Sequence, residues 1–287
     1  MGRIVWLLVA LLAAPAAAQN EFVLALEYES SSERLGDMAG TSSSSGRQQL
    51  GERIIARGPQ GTEAEYFLTS KKGEARGNDA WIFPVRILIA ADGSKSVLNK
   101  AELEARVDVM LAKANWTRDA CSRWYFTWNA FQVRCDPAAA LEAIDAYGMS
   151  HGAINEGATI AINGVAQPVA LSKSGERGDR ILLRGSAKVD AQSIRESEAQ
   201  TAMIVAEISG KAISLEAAKA QSATVDATGT VAIELEVDAA GLIWRRTNLT
   251  EVTVKGGKYG DEVRRSVQTI RRIPLADWER EQATHER

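Results

Sequence analysis

Gly148-Met-Ser-His-Gly152 is the stretch of this sequence that reads as a nucleophile motif. In Gly-x-Ser-x-Gly hydrolases the serine sits on a strained strand-to-helix turn, exposed to a histidine base. Ser150 precedes His285, which is the order such a pair requires. The context is wrong, because Pro137 to Tyr147 reads as a helix and His285 lies on a polar tail. The stretch reads as a glycine-flanked linker, and a hydrolase using Ser150 is a minor alternative. His151 reads as a solvated loop residue. The sequence has 2 histidines in all, which excludes a multi-histidine metal site. No metal, cofactor or catalytic residue is assigned.

Three other groups have the residue types for chemistry or binding. Glu234 and Glu236 share one face of a strand, where mutual repulsion would raise a pKa if both were buried. The alternation of Val231, Ile233, Leu235 and Val237 puts the two carboxylates on the solvent side instead. Trp116, Trp124, Tyr125, Phe126, Trp128 and Phe131 form a dense aromatic group. They read mainly as a core plug, with an aromatic platform for a sugar, lipid or partner as the functional reading. Residues 242–275 hold eight basic and three acidic side chains. Each Arg-Arg pair there sends one side chain to each strand face. Arg246, Arg264 and Arg272 could thus line up as a row that holds phosphate or carboxylate. Edge protection and cross-strand pairing are the simpler account of the same row.

Cys121 and Cys135 are the 2 cysteines. In an antiparallel hairpin opposed residues have a constant index sum. Cys121 opposite Cys135 pairs Trp124 with Gln132, Tyr125 with Phe131 and Phe126 with Ala130. The turn then falls at Thr127-Trp128-Asn129, and a disulfide is expected. No Cys-x-x-Cys or Cys/His cluster points to redox catalysis or structural zinc.

The elements that must position these groups read as follows. Phe22 to Glu29 alternates as a strand, and residues 30–47 form a Ser/Gly-rich loop too polar to fix its backbone. Strands follow at 49–57, 63–69 and 81–90. Asn99 with Glu102 opens a helix through Leu103, Val107, Met110 and Leu111. Asp136-Pro137 opens a second one, ended by Gly148. Gly148 to Gly157 resembles a linker. Strands at 158–163, 165–171 and 181–189 come next, with a loop at 172–179. Ser193 to Glu196 reads as a capping box for a helix to Ile208, and a short helix covers 215–221. The last third is an antiparallel meander. The expected fold is α+β: a curved antiparallel sheet, or two, with helices packed on one face. The chain divides into 1–18, 19–150, 151–275 and a polar tail at 276–287, where Leu275 to Arg287 also reads as a frayed helix.

Residues 1–18 set the expected compartment. Arg3, the apolar run Ile4–Leu12, Pro15 and Ala16-Ala17-Ala18 have the layout of a cleaved signal peptide. The run is too short to span a bilayer, which takes about 20 residues. Removing it leaves 33 basic residues (34 less Arg3) against 37 acidic, a balance that argues against a nucleic-acid binder. No second apolar run suggests a membrane span. The expected location is periplasmic or secreted. Asn115-Trp-Thr117 and Asn248-Leu-Thr250 match glycosylation sequons, accidental in a bacterial protein.

Ala101-Glu-Leu-Glu-Ala to Asn129-Ala-Phe, with Trp116-Thr, Cys121, Phe126-Thr-Trp-Asn129 and Cys135-Asp-Pro137, resembles part of exported proteins of Gram-negative bacteria that have no assigned role. The resemblance implies export and paired cysteines, and brings no activity. The β-rich layout is similar in outline to periplasmic lipoprotein-carrier folds. The expected function is non-enzymatic binding of an apolar or amphipathic envelope component such as a lipid. The expected site is an apolar cavity lined by Phe22, Leu24, Val231 and Ile233. The alternative is a structural or protein-interaction module that uses the aromatic hairpin or the arginine row.

Overall fold

The computed structural model describes residues 20–36, 39–69, 80–126, 130–149, 154–257 and 260–285. The chain opens with three strands, β1 (Glu21–Arg34), β2 (Gly40–Gly58) and β3 (Gly61–Phe67). After a 3-10 turn at Ala80–Ile82 come β4 (Val85–Ile89), β5 (Lys95–Val97) and helix α1 (Lys100–Lys113). A second 3-10 turn, Arg118–Ala120, leads into the hairpin β6 (Trp124–Phe126) and β7 (Ala130–Gln132), then helix α2 (Ala139–Asp145). The short strands β8 (Thr159–Ile160) and β9 (Val169–Ala170) precede β10 (Ser172–Arg177) and β11 (Arg180–Lys188). Helices α3 (Ala191–Ile208) and α4 (Leu215–Ser222) follow, then β12 (Asp226–Val237), β13 (Ile243–Gly257), β14 (Gly260–Pro274) and helix α5 (Leu275–His285).

Ten strands form one open antiparallel sheet in the order β10-β11-β12-β13-β14-β1-β2-β3-β4-β5. The fold is α+β, as expected. Each side of residue 150 contributes a five-strand meander, and the two join where β1 pairs with β14. β1 is therefore central, hydrogen-bonded to both β14 and β2. Its inner end is apolar on both faces, and Phe22 through Leu26 are all buried.

The inner face carries the core. Leu24 and Leu26 of β1 meet Leu50, Tyr66, Ile87, Leu235 and Ile270 from neighbouring strands. Leu103, Val107 and Leu111 of α1 and Ile144 of α2 close over them. A satellite cluster of Val225, Ala227, Val252 and Val254 anchors the start of α3 through Ile194. The outer face carries cross-strand ion pairs among neutral side chains: Arg184 bonds Glu234 at 2.6 Å, and Arg177 bonds Glu236. Both glutamates fall on the outer face as the alternation predicts, but half-buried under their arginines rather than open to solvent. At the inner end of the sheet, α5 contacts β1 and β14.

Several segments differ from the sequence reading. Residues 30–34 and 40–47 are strand, not loop. β1 has a partner on each side, so ladder hydrogen bonds fix a backbone whose side chains bury little. At Gly46 the Tyr28 ring lies 2.6 Å from where a Cβ would stand, so the ring covers the bare backbone. Residues 172–177 are likewise a strand, at the sheet edge, with charged side chains that suit that place. The stretch 81–90 splits into a 3-10 turn and a shorter strand around Pro84, which has no N–H to donate. Strands at 158–163 and 165–171 shrink to two residues each. Asn99 stands at the α1 N-cap position, but its side-chain oxygen accepts from Arg86 N instead. Helix α3 starts earlier than Ser193, because Asp190 accepts from Gln192 N. The tail, in keeping with its reading as a frayed helix, is helical from Leu275 to His285.

Candidate functional site

The expected hairpin register is observed: Trp124 faces Gln132, Tyr125 faces Phe131 and Phe126 faces Ala130. Cys121 and Cys135 are disulfide-bonded across a sequence separation of 14. Closing a loop of that size contributes about 3 kcal/mol on the chain-entropy estimate. Trp116 stacks on Tyr125 at 5.1 Å, and Tyr125 on Phe131 at 5.9 Å. All three pack against the main core, so this side of the hairpin is a core plug. Trp124 is half-buried, and its backbone N–H donates to Glu207 of α3 at 3.3 Å. Trp128 lies outside the described residues, as do Ser150, His151 and residues 1–19.

The three arginines do share one face. Strand register places Arg246 opposite Ile270, Arg272 opposite Leu24 and Arg264 opposite Val252, all on the inner face. Their surroundings differ sharply. Arg272 is 4% exposed and forms a two-point ion pair with Glu52, Nε to Oε2 at 2.7 Å and Nη2 to Oε1 at 3.2 Å. It also donates to the carbonyls of Ile243 and Met149. Tyr66 completes the cluster by donating its hydroxyl to Glu52 at 2.9 Å. Arg246 is also buried; it donates to Asn248 Oδ1 and, at 2.8 Å, to the carbonyl of Gly148. Burial holds its guanidinium below the ordinary arginine value.

These contacts revise the linker reading of Gly148–Gly157. The carbonyls of Gly148 and Met149 are acceptors for two core arginines, and Met149 and Ile154 are buried. A side chain at 148 would collide with Arg246 Nη1, 2.1 Å from the Cβ position, and the backbone there has φ +59. The glycine is needed for both reasons. Two members of the arginine row are thus structural clamps that fasten the mid-chain segment to the sheet.

Arg264 alone opens toward solvent, and it marks a groove. Beyond the core, the inner face continues as rows of small polar side chains. One row runs Ser44, Ser30, Ser266 and Thr250; the next runs Ser42, Ser32, Arg264 and Val252. Together with Ile194 of α3 they line a groove of about 420 Å³. Ser32 and Ser42 share a hydrogen bond at 2.8 Å. Arg264 Nη2 reaches Glu198 of α3 at 2.8 Å and Glu262 at 3.0 Å. Burial lowers the Arg264 pKa, but the two carboxylates outweigh it and hold the guanidinium above its ordinary value. Burial likewise raises Glu262, and hydrogen bonds from Arg264 and Ser32 more than offset it, leaving that carboxyl below its usual range. The groove is a fixed charged cluster beside aliphatic carbons and a bed of hydroxyls, each able to donate and accept.

Phe22, Leu24, Val231 and Ile233 are all buried, and Leu24 and Ile233 belong to the packed main core. The groove lies on the outer ends of β2, β1, β14 and β13, without β12, and was not expected. Its signal was present as Ser30-Ser31-Ser32 and Ser42 to Ser45, which fall in register once β1 and β2 are both strands. Among the described residues no group of three or more His, Cys, Asp or Glu side chains is placed to hold a metal ion. Among them, too, no helix is long and apolar enough to cross a membrane. No protein-family model matches the chain, and no curated protein matches it.

Proposed function

We propose that the chain is a non-enzymatic binding protein of the cell envelope, and that it holds an amphipathic component in the groove between α3 and the outer ends of β2, β1, β14 and β13. The groove's composition carries this reading. Ile194 and Val252 offer apolar carbon, a four-strand hydroxyl row offers hydrogen bonds, and Arg264 with its partners Glu198 and Glu262 offers a fixed charged cluster at one wall. Ligand sites combine apolar lining with a few placed polar groups in this way. The disulfide and the signal-like first eighteen residues support an oxidising compartment as the place of work.

Native mass spectrometry of the protein, purified gently from its own compartment, tests the proposal. The expected result is a reproducible extra mass of lipid size. Ser266→Trp, which fills the middle of the groove, should lose that mass while keeping the circular dichroism of the parent. A bare parent protein, or an adduct that survives Ser266→Trp, overturns it.

A further inference from the structure

The outer face carries a second arrangement, independent of the groove. β13 and β14 place Arg245 directly opposite Arg271. Opposed residues on antiparallel strands share a face with Cβ atoms only about 5 Å apart, and like charges so placed are destabilising. The row around them does little to cancel the repulsion. On one side Arg271 faces Ala25, and beyond it lies Gln49. On the other, Arg245 faces Glu236, whose carboxylate is 3.7 Å from Arg245 Nη1 and is already bonded by Arg177. Glu27 and Glu234, one row outward, are engaged by Arg47 and Arg184. Arg271 has no hydrogen-bond or ion-pair partner among the described residues, and Arg245 Nε is shielded from water with no acceptor.

We propose that Arg245 and Arg271 form a binding site for a phosphomonoester-type oxyanion on the outer face of the sheet. Two guanidinium forks side by side, sharing part of one carboxylate, leave an excess of positive charge. A phosphate dianion can answer it with two charge-assisted contacts. The Thr247 and Thr269 hydroxyls, 3.5 Å apart in the adjacent row, supply neutral donors beside it. Arg245 keeps 41% of its side chain exposed, so the pair is open to a ligand from solvent.

Calorimetric titration with inorganic phosphate at constant ionic strength tests the site. The parent protein should bind, and Arg271→Gln should weaken binding at least roughly tenfold, the scale of a lost charge-assisted contact. Arg271→Lys keeps the charge without the fork and should recover only part of the affinity. Arg86→Gln removes the same charge from a distant strand and should leave affinity within about twofold, since it touches no contact. Without phosphate, Arg271→Gln should unfold no earlier than the parent, because it relieves the opposed charges. Equal phosphate affinity in the parent and Arg271→Gln, or none in the parent, overturns the proposal. Flotation with phosphatidic acid vesicles, against phosphatidylcholine alone, separates the sources of the group. Arg271-dependent flotation identifies a lipid headgroup, and phosphate binding without flotation identifies a soluble phosphomonoester. Ser266→Trp should leave phosphate affinity unchanged, so failure here and failure of the groove are distinguishable.

Discussion

The inner and outer ends of β1, β2, β13 and β14 are two halves of the same strands, and they treat the same face oppositely. At the inner end, Leu24, Leu50 and Arg272 are all buried, and the arginine is fastened to the mid-chain segment through the Met149 carbonyl. At the outer end, Ser30, Ser44, Ser266 and Thr250 continue the same face with α3 beside them. Alternation decides which face a side chain joins. It does not decide whether that face is covered, because the cover comes from elsewhere in the chain.

The comparison can be broken most forcefully at the inner end. Glu52→Gln should leave Arg272 charged, buried and half-partnered, and cost about 3–5 kcal/mol in urea denaturation. Adding Arg272→Met and Glu52→Leu together should restore most of that loss, because a packed apolar pair needs no desolvated charge.

Tyr147 gives a pH signature of the same sealed region. Burial pushes its hydroxyl up to about 12 from 10.0. The unfolded chain therefore ionises first. The stabilisation from the neutral phenol is complete below pH 10 and is lost as pH rises toward 12. The drop should be about 2–3 kcal/mol. Comparing the stability–pH curves of the parent and Tyr147→Phe isolates it, and parallel curves would count against burial of the hydroxyl.

Gly148→Ala should cost more than about 1 kcal/mol, since the backbone is left-handed there and the new methyl meets Arg246. Its thermal midpoint should fall while the outer groove still binds. Arg264→Gln, at the outer end, should change stability by less than about 1 kcal/mol, as exposed ion pairs do. Its effect should show in ligand affinity instead. A large stability loss would mean that the two ends are not as different as their burial implies.

The parts that were legible in the sequence were those fixed by local constraint. The cysteine pair sets the hairpin register by index sum, and the meander of β12 to β14 follows from alternation. The glutamates at 234 and 236 fell on the outer face for the same reason. The serine-rich stretch was misread because composition measures what a side chain can bury. It does not register that β1 would gain partners from both β2 and the distant β14. The arginine row was found as a row, but two of its members are bonded to carbonyls 98 and 123 residues away in the chain. The groove was missed with the strands that form it. The opposed Arg245 and Arg271 needed the β13–β14 register, which a shift of one residue would have moved to the other face.

The pairing of Val23 with Ile273 spans about 250 residues. That separation has a consequence for how the chain reaches its native state. β1 can pair with β2 as soon as both exist, but its other edge stays open until β14 has been synthesised. Contacts this distant slow folding. In the interval, Leu24 and Leu26 sit on an unfinished edge that other chains can join. A truncated form ending before residue 260 should aggregate as it is made, and the full-length chain should need protection until its last strand arrives.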